Sequence, residues 1–435
     1  MKYANVIIDN KSDNTDTSFT YTCEGNIKAG SKVKVPFAKG AKLREGYVMS
    51  ISDDDSDIPD KFKDRLKAIA EVDESVSLSP EMLRTAIWMR QRYLCRYIDA
   101  IKCFTPAGSR GARSKGVSVL DGAAPSRGII DSLTQEQETA LDTIAKPITR
   151  GYHDRFLLHG ITGSGKTEIY IRAAGKAIEQ DKTVIILVPE ISLTGQIIDR
   201  FIGAFGENSV AVLHSKLTKG ERYDQWQKIK RGEVKIAIGA RSAVFAPMDN
   251  IGLIVIDEEH EATYKADHSP KYDTVEVAIK RLKDRDNQGV LLLGSATPSV
   301  ATYSRIDEGI YKLIKLTKRY NSVSLPKCDI VDMRDELRSG NKTIFSKRLI
   351  SEMNQQLKAG KQVMLFLNRR GYSTFVSCRE CGEVIKCPTC GLSMTFHRDG
   401  LLKCHYCGKV QEQVSKCPAC GSSYVRYFGT GTEKI

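Results

Sequence analysis

No apolar run in this chain approaches the 18 or so residues that a helical membrane span requires, and none is expected to cross a bilayer. A cleavable leader is also lacking to the eye: Met1-Lys-Tyr-Ala-Asn-Val-Ile-Ile-Asp9 meets an acid before a long apolar core forms. The expected location is the cytoplasm, with no membrane partner. Dispersed cysteines are scarce. Eight of the twelve fall in one short segment, which leaves Cys23, Cys95, Cys103 and Cys328 as ordinary thiols, too few and too scattered for a disulfide framework. Acids fall short of bases, 53 against 66, and the formal charge of +13 favours an anionic partner without specifying one. With 435 residues the chain exceeds what one core of about 250–300 residues holds, so two to four domains are expected.

What is present is led by Phe156-Leu-Leu-His-Gly-Ile-Thr-Gly-Ser-Gly-Lys-Thr167. An apolar strand runs into Gly160, Ile161, Thr162, Gly163, Ser164, Gly165, Lys166 and Thr167, the spacing of a P-loop. Glycines there let backbone N–H groups cradle phosphate oxygens, and the helix that follows adds its positive end. Lys166 is expected on the β- and γ-phosphates of ATP, and the Thr167 hydroxyl on Mg²⁺. About ninety residues on, Ile254-Val-Ile-Asp257-Glu258-Glu259-His260 is a strand ending in acids. Asp257 is placed to complete the Mg²⁺ shell, and Glu258 to orient and deprotonate the attacking water. The Asp-Glu-Glu-His order points to the helicase and translocase branch of the P-loop ATPases.

Around these motifs the pattern is that of several domains. Over 1–104, strands are expected at Val6–Ile8, Lys32–Phe37 and Tyr47–Ile51. One helix is expected from Ser79, as its cap, to about Ile101, with Pro80 at its first position. The acidic run at 53–60 reads as a solvated turn. Residues 105–130 are Gly-rich and basic, a flexible linker. From 131 to 320 strands and helices alternate, as in a parallel α/β sheet. The strands are expected at Arg155–His159, Thr183–Val188, Val234–Ile238, Leu253–Ile256 and Val290–Leu293, with helices such as Thr167–Gln180 and Glu221–Arg231 between them. A second α/β unit is expected over 321–377, with helix Ser346–Ala359 and strand Gln362–Leu367, resuming over 422–435.

Between its two parts, over 378–421, lie four Cys-x-x-Cys pairs: Cys378/Cys381, Cys387/Cys390, Cys404/Cys407 and Cys417/Cys420. Eight thiolates suffice for two tetrahedral Cys₄ sites, hence two Zn²⁺. A glycine after each pair's second cysteine suits the tight turn of a zinc knuckle. Spacing alone does not fix which pairs share an ion. His397 and His405 lie nearby but are not needed as ligands.

Several further stretches resemble the superfamily 2 helicases. Leu133-Thr-Gln-Glu-Gln137 is similar to their adenine-reading Q motif. Leu187-Val-Pro-Glu-Ile-Ser-Leu-Thr194, Ile238-Gly-Ala-Arg-Ser-Ala-Val-Phe245, Gly294-Ser-Ala-Thr-Pro-Ser299 and Phe366-Leu-Asn-Arg-Arg-Gly371 resemble motifs Ia, Ib, III and IV. The inserted cysteines, with Met1–Ile8 and Val33–Phe37, are similar above all to the primosomal replication-restart helicases and their DNA 3′-end-binding domain. The resemblance implies a RecA-like P-loop lobe with a parallel sheet, a small β-rich N-terminal domain, and a partial second RecA-like lobe carrying the zinc module. It implies that Gln137 contacts adenine and that Ser295 and Thr297 couple hydrolysis to movement. Pro189, Glu190, Arg241 and Ser242 would face the tracked strand. Tyr264-Lys265 and Lys271-Tyr272 would form an aromatic-rich loop that senses DNA, rings stacking on bases and cations meeting phosphates; buried packing is the alternative use of those tyrosines. For the cysteines it implies nesting, outer pairs on one zinc and inner pairs on the other.

The family's winged-helix domain is expected to be reduced or absent, since only the linker stands in its place. The second lobe is expected to be truncated, because the match at Phe428-Gly-Thr-Gly-Thr-Glu-Lys-Ile435 falls in mid-lobe. The family's arginine finger would then lie outside this sequence, and nothing marks Arg426 as a substitute. The resemblance implies a monomeric ATP-dependent 3′→5′ DNA helicase of the nucleoid. It would act on forks and single-stranded DNA, with other primosome proteins, single-stranded-DNA-binding protein and the replicative helicase and its loader as partners. The rivals are a fork-binding scaffold that does not turn over, and another superfamily 2 translocase.

Overall fold

The computed structural model describes all residues except 1, 11, 38–42, 55, 57, 59–62, 64, 107–131, 190–194, 215–216, 285–286, 321–325, 342, 367–374, 398 and 429–435. Nearly all of the expected linker, Glu190, most of motif IV and the terminal segment are thus outside the described residues. The chain forms two compact units, Met1–Ser324 and Leu325–Ile435.

The first unit begins with strands β1 (Lys2–Ile8), β2 (Ser18–Cys23), β3 (Ser31–Pro36), β4 (Leu43–Ser52) and β5 (Glu71–Ser77). They pair in the order β2-β1-β4-β3-β5, every neighbour antiparallel. Two-residue alternation sorts β1 by face. Ala4, Val6 and Ile8 join one core with Val33, Val35 and Val48, while Ile7 joins a second core with Met82, Ile98 and Phe104. Two helices follow where one was expected: α1 (Pro80–Tyr93) and α2 (Tyr97–Phe104). Ser79 does cap α1, accepting from the Met82 N–H. The break falls at Leu94, which takes the left-handed conformation at φ 51° and ends the helix.

The rest of this unit alternates helix and strand: α3 (Gln135–Arg150), β6 (Asp154–Gly160), α4 (Lys166–Ile178), β7 (Thr183–Leu187), α5 (Gly195–Phe205), β8 (Val210–Leu213), α6 (Lys219–Lys230), β9 (Ile236–Gly239), β10 (Ile251–Asp257), α7 (Thr274–Leu282), β11 (Val290–Ser295), α8 (Val300–Asp307) and β12 (Lys312–Leu316). The seven strands are parallel in the order β12-β6-β11-β10-β7-β9-β8. Side chains from α3, α4 and α5 fill one face; Trp226, Val277 and Leu282 of α6 and α7, with α1 and α2, fill the other. All five expected strands are present, with β8 and β12 added as the sheet's edges.

The N-terminal domain is fixed to this sheet. Arg281 of α7 is fully buried and donates to both carboxylate oxygens of Glu81 at 3.0 and 2.9 Å, and to the Val244 and Ala246 carbonyls. Arg92 makes a second bidentate pair, with Glu276. Trp226 donates to the Phe104 carbonyl at 2.9 Å.

The second unit carries α9 (Met333–Arg338), α10 (Lys347–Lys358), β13 (Phe375–Cys378), β14 (Thr395–Phe396), β15 (Leu401–Lys403), β16 (Val410–Glu412) and β17 (Val425–Phe428). The expected helix is α10. The expected strand over 362–367 is corrected: residues 362–366 form no strand, because no described strand hydrogen-bonds to them, and Met364 and Phe366 stand 93% and 85% exposed. The cysteine segment instead opens on β13 and closes on β17, paired antiparallel.

Candidate nucleotide site, nucleic-acid face and metal centres

The strand order positions the chemistry. β6, β11 and β10 are neighbours, so the P-loop after β6, Ser295 at the end of β11 and Asp257 at the end of β10 emerge side by side. Ligands of open α/β sheets bind at this carboxyl edge. β7 and β9 come next and deliver Pro189 and Arg241–Ser242 to the adjoining stretch of the same edge.

Gly165 caps α4 in the left-handed conformation at φ 81°, and a Cβ there would clash with the Gln137 Nε2. A Cβ on Gly160 would meet Ser164 Oγ at 2.6 Å. Lys166 donates from Nζ to the Gly160 carbonyl at 2.9 Å. Ser164 Oγ is buried with no hydrogen-bond partner. A loop so closely drawn, with an orphaned hydroxyl, a lysine and a helix amino end, fits a triphosphate.

Asp257 accepts from the Tyr170 hydroxyl at 2.9 Å. Burial pushes its carboxyl up; the Tyr170 bond opposes that, Glu258 adds to it, and Lys166 opposes it. Glu258 turns off the strand in the left-handed region at φ 46°, a conformation a non-glycine residue holds only when its surroundings enforce it. The enforcing bonds are Glu259 N–H to the Gly294 carbonyl, 3.1 Å, and Glu261 N–H to the Glu258 carbonyl, 2.9 Å. His260 Nδ1 lies 2.9 Å from Ser295 Oγ, which also accepts from the Thr297 N–H at 3.0 Å. Buried Glu259 accepts from Ser299 N–H at 2.7 Å and from the Thr302 hydroxyl at 2.8 Å. The acidic quartet and the Gly294–Ser299 stretch are therefore wired to each other residue by residue.

Gln137 is 1% exposed and its amide is engaged at both ends. It accepts from Thr134 N–H at 2.9 Å, closing a capping box on α3, and donates to the Ser164 carbonyl at 2.9 Å. The structure brings it to the back of the P-loop rather than to an open face where a base would lie. Tyr264 and Tyr272 are likewise buried. The Tyr264 hydroxyl donates to the Asp257 and Leu187 carbonyls, and the Tyr272 ring packs edge-on to Phe245 at 4.8 Å. As placed, both rings are core anchors, and base stacking by them is corrected on that ground. Lys265, Lys271 and Ser242 are exposed on the same loops. Arg241 donates to the Lys265 carbonyl, and Pro189, Arg241, Ser242 and Tyr264 line a cleft of about 290 Å³.

The cysteines gather in two sets, Cys378, Cys381, Cys417 and Cys420, and Cys387, Cys390, Cys404 and Cys407, each with sulfurs within 4.8 Å of one another. This is the nested pairing. Cross-pair Sγ distances run from 3.4 to 3.6 Å, close to the roughly 3.8 Å edge of a tetrahedron with Zn–S of about 2.3 Å. Gly382, Gly391, Gly408 and Gly421 all have positive φ, and each N–H returns to the first cysteine's carbonyl. Burial raises the Cys378 and Cys387 thiols, but backbone N–H groups and neighbouring thiols outweigh it and draw both down, toward thiolate.

Sequence reasoning missed Tyr170, against whose hydroxyl a Cβ on Gly294 would clash, and the segment after β12 that lies along the P-loop. No local pattern signals a bond between residues 87 apart.

Comparison with known proteins agrees with this layout. Residues 134–306 match the DEAD/DEAH box helicase family, 5–106 the PriA 3′ DNA-binding domain, and 387–411 the PriA DNA helicase Cys-rich region. The chain is 50% identical over 304 residues to the replication restart protein PriA of Bacillus subtilis, covering 70% of this chain and 37% of that protein. It is 44% identical over 313 residues to the one from Synechocystis, covering 70% and 37%. Over 429 residues it is 37% identical to the Treponema pallidum protein, covering 97% and 63%. The chain thus spans between about a third and two thirds of the length of these relatives. The chain is thus similar to the replication restart proteins PriA over both its N-terminal and its DEAD/DEAH box helicase segments.

Proposed function

We propose that this chain carries the motor of an ATP-dependent DNA helicase that moves 3′→5′, recognises stalled or collapsed replication forks, and restarts replication by primosome assembly. What supports the motor reading is one arrangement: P-loop, Asp257–Glu258 and Ser295 on three adjacent strands, with His260 hydrogen-bonded to Ser295. The fork and restart reading rests on the matched 3′ DNA-binding and Cys-rich segments and on relatives named for replication restart.

In this reading the P-loop N–H groups and Lys166 bind the triphosphate, and Thr167 and Asp257 hold Mg²⁺, which supplies positive charge against the phosphates. Glu258 takes the proton of the attacking water. Ser295 and Thr297 relay the state of the acids. Pro189, Glu190, Arg241, Ser242, Lys265 and Lys271 face the strand being tracked, the lysines meeting phosphates. Gln137 serves the adenine side by holding the loop. The two cysteine sets hold one structural Zn²⁺ each. Partners are other primosome proteins, single-stranded-DNA-binding protein and the replicative helicase with its loader, on nucleoid DNA, with this chain as a monomer.

The test is DNA-stimulated ATP hydrolysis by this chain beside Lys166→Ala and Glu258→Gln. Loss of at least a hundredfold in both variants, with ATP binding retained by Glu258→Gln, is the expected result. Equal rates in all three proteins would sink the enzyme reading and leave a DNA-binding scaffold.

A further inference from the structure

In the proposed ATP site, Gln137 is buried and bonded at both ends of its amide, so that it stands behind the P-loop. Beside it runs the segment that leaves β12. The Leu316 carbonyl accepts from Ile161 N–H at 3.3 Å, and Tyr320 N–H donates to the Gly163 carbonyl at 2.9 Å. Glu136, next to Gln137 on α3, accepts from Thr317 N–H at 2.8 Å and from the Thr317 hydroxyl. Residues 316–320 are therefore a strap tied at three points to the P-loop and to α3. The carbonyls of Gly163 and Ser164 point out of the phosphate cradle, one to the strap and one to Gln137.

Over that outer bend lies Arg319. Its stem packs on Gly163, where a Cβ would sit 3.8 Å from the Arg319 Cγ and Cδ, and its Nε is buried with no hydrogen-bond partner. Thr162, Gly163, Arg319 and Tyr320 line a recess of about 310 Å³, with Tyr320 40% exposed at its rim.

We propose that Arg319 and Tyr320 form the wall that binds the nucleobase of the nucleoside triphosphate. The proposal rests on the ATP-site reading above. Lys166 and the helix amino end occupy the inner, phosphate side of the loop; the recess is on the outer side, beside the strap that Glu136 of α3 holds. A guanidinium plane and a phenol ring both offer stacking faces, and the guanidinium adds N–H donors that the edge of a base can meet. The wall therefore holds a base chiefly by stacking.

The whole chain is titrated with ATP, GTP and inorganic tripolyphosphate, comparing the natural protein with Arg319→Ala, Arg319→Lys and Lys166→Ala. Arg319→Ala should weaken both ATP and GTP, about tenfold, and leave tripolyphosphate unchanged, which also reports an intact loop. Arg319→Lys should rescue little, because an ammonium keeps the charge and loses the plane. Lys166→Ala should weaken all three ligands. Tripolyphosphate weakening in step with ATP, or full rescue by lysine, overturns the proposal in favour of a phosphate contact. Unchanged binding by Arg319→Ala overturns it in favour of a purely structural strap. Failure of the natural protein to bind ATP or tripolyphosphate overturns the ATP site itself, and the base wall with it.

Discussion

Asp257 is where burial and function oppose each other most plainly. Its carboxyl sits beneath the P-loop with Tyr170 as donor, and burial raises its pKa above 3.8. The folded chain then keeps the proton to higher pH than the unfolded chain does. Stability falls as pH rises from about 3.8 through the raised value, and above that the full penalty of a buried carboxylate remains. Asp257→Asn keeps an acceptor for Tyr170 and removes the charge. It is expected to melt higher than the natural protein at pH 7, with the gain shrinking as pH falls toward 3.8, while the ATP hydrolysis proposed for this site is expected to be lost. Thermal melts across that range check it; a gain that does not change with pH would show that the charge is not what destabilises the site. Such a trade between stability and activity is common where a site holds a group for its chemistry. The left-handed turn at Glu258 belongs to the same economy of the site, since two backbone bonds hold an acid where the strand would not aim it.

At the scale of elements, α1 and α7 are joined by Glu81 and Arg281, a pair with almost no solvent contact. Glu81→Ala would strand a buried guanidinium with only carbonyls for partners. The expected loss is about 3–5 kcal/mol, and pairing the change with Arg281→Met should return most of it. Denaturant unfolding of the two variants measures this, and a double variant no more stable than Glu81→Ala would contradict the ion-pair account. These elements also show what the sequence made legible. Central strands such as β10 read as unbroken apolar runs because both of their faces are covered. The edges β8 and β12 did not, being short or alternating. Phe366 and its neighbours looked like a strand and are not one, since an apolar run needs a partner to pair with. The helix 79–101 kept its periodicity across Leu94, and no glycine or proline marked the left-handed residue that divides it. In the site, the P-loop, the acidic strand end and the cysteine pairs were legible because their spacing is local. The burial of Gln137, Tyr264 and Tyr272 was not, because it is decided by distant parts of the chain.

For the whole molecule, the two units differ in what holds them together. The first buries two extended apolar clusters against a seven-stranded sheet. In the second, the cysteine module has strands of two to four residues, and its one cluster consists of Val376, Ile385, Met394, Leu402 and Val425 around four of the cysteines. A core so small does not offset chain entropy alone, and metal bound by the two cysteine sets would provide the remaining folding energy of this module. Removing metal with a strong chelator is therefore expected to release two zinc ions per chain. It should also abolish hydrogen-exchange protection of amides such as Cys378, Cys387 and Cys404, which donate to backbone carbonyls across each knuckle. Amides of β6, β10 and β11 should keep their protection, and nucleotide binding at the P-loop should not change. Exchange measured by mass spectrometry with and without chelator separates the outcomes. Protection that survives in the module would show that it folds without metal. Loss that spreads to the seven-stranded sheet would show that the two units unfold as one.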